Sequence, residues 1–256
     1  MVEEHGVSPP LLVTASAGNH GRALAWAVRA GGMQLTVYVP EHAPRTKLEG
    51  IAASGAVLVP CGDYDEAERR AKEHAAREGA LFISPYNHPD VIAGAGTIGL
   101  EILHEWPDVD LIVVPIGGGG LISGIALAVR GVSQSTQVAG VEVEASCPFT
   151  RGLEAGRIVE IDVQPTLADG LAGNLDPDTI TFDIVRREVS QIAVVSEAHL
   201  RDAVAGVVAN ERLVTEGAGA VGVAAVMAGK LDVRGKRVAI VLSGANIDQH
   251  TLSTIV

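Results

Sequence analysis

Short apolar runs alternate with helical stretches along the whole of this chain. Residues 11–15, 35–39, 57–60 and 81–84 are apolar runs of strand length, and between them 20–30, 44–54 and 63–78 carry apolar positions at helical spacing. A polar lead-in over 1–10, ending in Pro9 and Pro10, precedes the first strand. Asp63 followed by Glu66 has the spacing of a capping box and predicts Asp63 as the N-cap of the third helix. Pro44 suits the first turn of the second, where a missing N–H costs nothing. Beyond Asn87 a longer helix is expected to end near Trp106 and Pro107, followed by a strand over 111–114, a helix over 121–130 and a strand over 138–143. Residues 145–190 are richer in Gly, Pro and Asp and predict loops with short helices. A strand over 192–195, a helix capped by Ser196 and reaching about Leu213, a helix over 218–228 and a strand over 238–242 complete the pattern. Such alternation predicts an α/β chain with parallel sheets covered by helices. A boundary near 85–90 is expected to divide it into domains over 1–88 and 89–256.

Composition narrows the picture. Apolar residues make up 47% of the 256, but aromatics only 3%, so the core must be built from Ala, Val, Ile and Leu, the usual material of buried parallel strands. With 19 basic residues against 31 acidic ones the net charge is −12, which disfavours nucleic acid and anionic membrane surfaces as partners. No apolar run approaches the roughly 18 residues that span a bilayer. Cys61 and Cys147 are far apart and in no CxxC spacing, so a disulfide framework or zinc ribbon is not expected and a reducing cytoplasm fits. The start of the chain has no basic region followed by an apolar one, so no signal peptide is expected.

Three loops carry candidate chemistry. Gly117, Gly118, Gly119 and Gly120 stand between a buried-strand run and the helical stretch that opens at Leu121. A strand, a glycine loop and a helix N-terminus form an anion cradle, because successive N–H groups can converge on a phosphate and the helix dipole favours its charge. No Lys-Ser/Thr follows, which excludes a Walker loop. The alternative is a close-packed turn without a ligand. Ser16, Ala17, Gly18, Asn19 and His20 follow the first strand and open the first helix; their small residues with hydroxyl, amide and imidazole groups suit a carboxylate, or else form a simple cap. Ser243 follows the last strand, where a hydroxyl can enter the crevice at the strand ends or sit in a plain turn. Glu216 reads as a carboxylate satisfied by a helix start. Two GxGxxG matches, at 94–99 and 217–222, do not follow strands directly and read as glycines permitting close packing.

Taken together these motifs resemble the threonine/serine dehydratase (threonine ammonia-lyase) branch of the fold-type II, tryptophan-synthase-β-like, pyridoxal-phosphate enzymes. The resemblance is carried by Ser-Ala-Gly-Asn-His at 16–20, Ala-Gly-Ala-Gly-Thr-Ile-Gly-Leu-Glu at 93–101, Pro-Ile-Gly-Gly-Gly-Gly-Leu at 115–121, Thr-Leu-Ala-Asp-Gly at 166–170, Thr-Glu-Gly-Ala-Gly-Ala at 215–220 and Leu-Ser-Gly-Ala-Asn-Ile-Asp at 242–248. It implies a two-domain architecture, here with an incomplete small domain, and pyridoxal 5′-phosphate as cofactor. It further implies that Gly117 to Gly120 and the Leu121 N–H hold the cofactor phosphate, that residues 16–20 wrap the substrate carboxylate with Asn19 also meeting the cofactor's 3′ oxygen, that Ser243 faces the pyridine nitrogen, and that Glu216 sits near the ring. Related racemases carry a second Ser where this chain has Ala17, so Ala17 points to β-elimination of water and deamination. Asp169 lies in a loop that binds a cation in some relatives, but without an evident acidic companion no metal is assigned. Homo-oligomers are usual in the family.

The resemblance also exposes a departure. The family's Schiff-base lysine lies in a motif some tens of residues before the Ser-x-Gly-Asn-His loop, whereas here fifteen residues precede Ser16 and none is lysine. The four lysines, Lys47, Lys72, Lys230 and Lys236, all read as surface residues, and Lys47 matches a family helix start away from the cofactor. Loss of such a nucleophile and base costs several orders of magnitude in rate. Three readings follow: an impaired amino-acid dehydratase, a noncatalytic binding protein for pyridoxal phosphate or a small anionic ligand, and a cofactor-independent enzyme using His20, Ser16 or Glu216.

Overall fold

The computed structural model describes residues 10–43 and 45–256; Pro44 and the lead-in over 1–9 lie outside the described residues. Two compact units divide at Pro85 and Tyr86. The first contains β1 (Leu11–Ala15), α1 (Asn19–Ala30), β2 (Gln34–Pro40), α2 (Arg45–Ala52), β3 (Val57–Cys61), α3 (Tyr64–Glu78) and β4 (Leu81–Phe82). Its described strands form a parallel sheet in the order β3-β2-β1-β4. Successive side chains of β1 and β2 point to opposite faces. Leu12, Leu35, Val37 and Val39 therefore pack with Ala25, Val28 and Ile51, while Val13, Ala15 and Tyr38 pack with Ala67, Ala71 and Ala75 of α3. Asp63 caps α3 by accepting from the Glu66 N–H at 2.8 Å. The return bond differs from a standard box, because Glu66 accepts from Gly62 N–H at 2.6 Å. β4 stops two residues short of the expected 84, since Ser84 precedes a proline. Its continuation is still held: Ile83 donates to the Val13 carbonyl at 2.9 Å and accepts from the Thr14 hydroxyl at 2.7 Å.

The second unit contains α4 (Pro89–Glu105), β5 (Leu111–Pro115), α5 (Gly120–Val132), β6 (Gln137–Val143), α6 (Pro148–Ala155), a 3₁₀ turn (Asp169–Leu171), α7 (Thr181–Glu188), β7 (Gln191–Val195), α8 (Glu197–Gly206), a π turn (Val207–Glu211), α9 (Gly217–Met227), β8 (Val238–Ile240) and α10 (Gln249–Ser253). Its parallel sheet runs β7-β6-β5-β8. In both sheets, then, the first strand lies between the second and the fourth, and the winding direction reverses beside it. Loops at such a reversal are where open α/β sheets take ligands. β5 is buried along its whole length. One face of the sheet packs Leu111, Val113, Ala139, Val141 and Val143 against α8 and α9, and the other packs Ile112, Val114 and Val138 against Ile122, Ile125, Phe149 and Phe182.

The GxGxxG stretches are packing surfaces. A Cβ on Gly124 of α5 would collide with the Ile92 carbonyl and stand 2.7 Å from Gly96 N of α4, and one on Gly99 would stand 3.1 Å from the Ile125 carbonyl. Gly94, by contrast, faces open space. In α9, Gly222 closes on Ile240, 2.6 Å from where its Cβ would be.

Two expectations are corrected, and one helix was not foreseen. The helix after Ser196 ends at Gly206, not near Leu213, and passes through the π turn to Arg212, whose φ of 58° is left-handed. Asn210 donates to the Gly206 carbonyl at 2.8 Å, a side chain competing with the helical ladder. β8 ends at Ile240, because the following residues are drawn to Thr215 and Glu216. α10, capped by Asp248, whose carboxylate accepts from Thr251 N–H at 2.9 Å, is too short to show periodicity.

Two outcomes follow. Gly124→Ala should lower the thermal midpoint by several degrees, an overpacking cost of about 1–3 kcal/mol, whereas Gly94→Ala in the neighbouring helix should hold or raise it. At the edge of the second sheet Arg237 grips Asp110 through its side chain at 3.0 Å and its backbone N–H at 2.8 Å, which lowers the Asp110 carboxyl to about 2. A depressed folded-state value means that the stabilisation is complete above the unfolded carboxyl range and lost as pH falls through about 2. The thermal-midpoint difference between the wild type and Asp110→Asn should accordingly narrow from pH 5 to pH 2; a constant difference would contradict it.

Candidate functional site

The turn from β5 into α5 is built where side chains cannot go. A Cβ on Gly117 would stand 3.1 Å from Leu171 Cα, one on Gly118 would fall inside the Tyr86 ring, and one on Gly120 would stand 2.8 Å from Tyr86 Cα. Gly119 has φ 86°, the left-handed region, and a Cβ there would be 2.5 Å from Phe149 Cζ and 3.0 Å from Thr181 Oγ1. The helical ladder of α5 starts where Ser123 N–H donates to the Gly119 carbonyl at 3.0 Å. The amides of Gly120, Leu121 and Ile122 therefore precede the ladder, at the positive end of a thirteen-residue helix. One turn into that helix the Ser123 hydroxyl is completely buried with no hydrogen-bond partner. A turn with no side chains of its own, first-turn amides ahead of the ladder and a positive dipole end fit a phosphate group.

Tyr86, Asn87 and Thr181 hold the turn from the side. The Tyr86 hydroxyl accepts from Asp176 N–H at 3.0 Å, Asn87 Oδ1 accepts from Ile180 N–H at 3.1 Å, and Thr181 Oγ1 donates to the Gly118 carbonyl at 2.8 Å. Sequence reasoning passed over all three, and only the Tyr-Asn pair directly before the His88 N-cap of α4 offered a signal.

β8 lies beside β5, so the loop bearing Ser243 leaves the sheet next to the glycine turn. Ser243 is exposed. Its loop is fixed from Thr215 and Glu216: Glu216 N–H donates to the Gly244 carbonyl at 3.0 Å, Thr215 Oγ1 donates to it at 3.2 Å, and Glu216 Oε2 accepts from Asn246 N–H at 2.9 Å. Glu216 is the N-cap residue of α9, yet its carboxylate makes no capping bond there. Glu216 thus stands at a helix start, as expected, and its carboxylate also clamps the Ser243 loop. Asp169 opens the 3₁₀ turn that backs Gly117, and Glu197 anchors the preceding strand of chain through the Thr166 hydroxyl and Leu167 N–H. Among the described residues no group of three or more His, Cys, Asp or Glu is arranged to hold a metal ion.

In the first unit, the Ser16 side chain folds back over the start of α1 and accepts from Gly18 N–H and Gly21 N–H, both at 3.2 Å. Gly21 permits this, since a Cβ there would strike the Ser16 carbonyl. Ala17 is buried, Asn19 is exposed, and a ring nitrogen of His20 lies 3.3 Å from the Ile83 carbonyl. Ser16 is thus an acceptor for the helix start while its own proton remains available to a ligand oxygen. Of the lysines, Lys230 and Lys236 are exposed, Lys72 pairs with Glu68 at 2.8 Å and lies over Phe82, and Lys47 is half-buried in α2.

The chain matches the model of the family described as pyridoxal-phosphate dependent enzyme over residues 3–244. It is 43% identical over 246 residues to the L-threonine ammonia-lyase of Thermotoga maritima and 42% identical over 247 residues to that of Geobacter sulfurreducens, in each case across 96% of this chain and 61% of the relative. The chain thus spans about 61% of the length of these curated relatives. Its fold is similar to the processed form of threonine deaminase isoform 2 from Solanum lycopersicum, with a TM-score of 0.89 at 29% identity, over 98% of this chain and 75% of that one. Among the described residues no helix is long and apolar enough to cross a membrane.

The packing around the turn sets a graded expectation. Gly118→Ala should displace the Tyr86 ring, lower the thermal midpoint by several degrees and abolish phosphate binding. Tyr86→Phe, which keeps the ring and loses the bond to Asp176, should cost about 1 kcal/mol. Equal behaviour of the two in thermal melts and phosphate titrations would refute this account of the turn.

Proposed function

This chain belongs to the pyridoxal-phosphate-dependent enzyme family, and from that premise we propose that it carries the binding machinery of an L-threonine/L-serine dehydratase, the reaction being loss of water from a β-hydroxy amino acid and deamination to a 2-oxo acid plus ammonia. The observation that carries this reading is the side-chain-free turn at Gly117 to Gly120, set beside the Ser243 loop where the second sheet reverses its winding. The amides from Gly117 to Leu121 would hold the cofactor phosphate at the positive end of α5. Ser243 offers the pyridine nitrogen a neutral hydroxyl, and Glu216 keeps that loop in place through Asn246. When bound, pyridoxal phosphate withdraws electron density from the substrate α-carbon, which allows a group on the β-carbon to leave.

In the first unit, the start of α1 holds the substrate carboxylate. The Ser16 hydroxyl donates to one carboxylate oxygen, and the exposed Asn19 side chain adds a second donor. Ala17 supplies only a methyl group. It can neither give nor take a proton at the α-carbon, so the loop favours elimination over racemisation.

A second reading has its own observation. Lys72 is tied to Glu68, Lys230 and Lys236 face solvent, and Lys47 lies in α2 at the helix start that the family resemblance sets away from the cofactor, positions suited to surface charge and not to covalent attachment of an aldehyde. This stretch of chain therefore binds its cofactor reversibly, and by itself acts as a holder of pyridoxal phosphate or a similar small anion. Titration with pyridoxal phosphate, followed by visible absorbance, borohydride reduction and mass spectrometry, separates the possibilities. Saturable binding without a mass-shifted lysine, and no 2-oxobutanoate from threonine, is expected. A reduced adduct on Lys47, Lys72, Lys230 or Lys236 would overturn reversible binding, and no saturation at all would overturn the cofactor reading.

A further inference from the structure

Glu142 sits at the penultimate position of β6 with none of its surface exposed, and together with Glu216 it is one of two charged residues buried among the described residues. A buried carboxylate is costly unless several donors meet it. Three do: Phe149 N–H at 2.9 Å, Thr150 N–H at 2.8 Å and Thr150 Oγ1 at 2.5 Å. Burial pushes the Glu142 carboxyl up, and these bonds offset part of that push.

Phe149 and Thr150 are the second and third residues of α6, whose N-cap Cys147 makes no side-chain capping bond. Those are the amides that an N-cap side chain normally satisfies. Glu142 does so from the neighbouring strand and thereby pins the start of α6 to the end of β6. The pinned residue is Phe149, fully buried, with its ring 2.5 Å from where a Gly119 Cβ would stand. Phe149 also stacks on Phe182, with centroids 6.1 Å apart, and the residue before Phe182 is Thr181, which donates to the Gly118 carbonyl. Both contacts beneath the glycine turn thus trace back to the α6–α7 pair that Glu142 anchors.

We infer that Glu142 is a positioning residue: it fixes the left-handed Gly119 turn through Phe149 and so presets the amides at the start of α5 for an anion, an inference that rests on the phosphate-binding reading of that turn. A purely structural cap would stabilise α6 without reaching the turn.

The test is hydrogen exchange of residues 117–123 in the full chain, paired with titration by inorganic phosphate and by pyridoxal phosphate. Glu142→Gln, and the milder Thr150→Val if the first variant folds poorly, should speed exchange in 117–123 at least about tenfold and weaken pyridoxal phosphate at least about tenfold. Leu200→Ala, a fully buried truncation in the opposite cluster, serves as a control that lowers the thermal midpoint but leaves exchange at 117–123 unchanged. Unchanged exchange in the Glu142 and Thr150 variants, or equal acceleration by Leu200→Ala, overturns the inference. If the wild type binds neither probe, the cofactor reading fails while the exchange comparison still decides the role of Glu142.

Discussion

The constraint on which the second unit depends is the lack of room for a Cβ in the turn that leaves β5. Four residues in a row run against Leu171, Tyr86, Phe149 and Thr181, so the backbone itself is the contact surface. Glycine costs conformational entropy at every such position. That cost is offset because the same backbone approach does two jobs: it seats α5 on its neighbours, and it leads into the first amides of the helix through residues with no side chains of their own. The supports come from distant parts of the sequence, and each fixes a different face of one turn.

The two sheets solve the same topological problem with different chemistry. Each places its first strand between its second and fourth, so the loop after the first strand emerges at the reversal. In the first unit that loop contains a hydroxyl, an amide and an imidazole, and the hydroxyl is occupied as an acceptor for Gly18 and Gly21. In the second it contains only backbone. A loop whose polar groups are side chains can be selective between small planar ligands. A loop of bare amides suits a group with several equivalent oxygens.

Much of this was legible in the sequence, and what was not shares a physical cause. β1 matches its expected bounds because a largely apolar run between Pro10 and the Ser16 loop leaves few alternatives. The glycine turn was legible because four glycines between a strand and a helix leave few alternatives. Glu142 was not, since a single acidic residue in an apolar strand announces no partner, and its partners are the backbone amides of a helix across an irregular corner. Tyr86 reaches Asp176 over 90 residues and Glu216 reaches Asn246 over 30, and side chain to backbone bonds of this kind leave no pattern. The early end of α8 was hidden for the opposite reason: Asn210 competes locally with a ladder that apolar periodicity alone would extend.

The shared strand order also gives the two sheets different histories during synthesis. Thr14 of β1 finds Ile83 after 69 residues, whereas Asp110, at the start of β5, finds Arg237 only after 127. At about 5–20 residues per second the ribosome needs roughly 6–25 s to deliver β8 after β5. Throughout that interval β5, buried along its whole length in the finished fold, has one edge bare, a template for any other strand nearby. The strand order that puts both loops at the reversal thus also sets a period of bare sheet edge in each unit, nearly twice as long in the second as in the first.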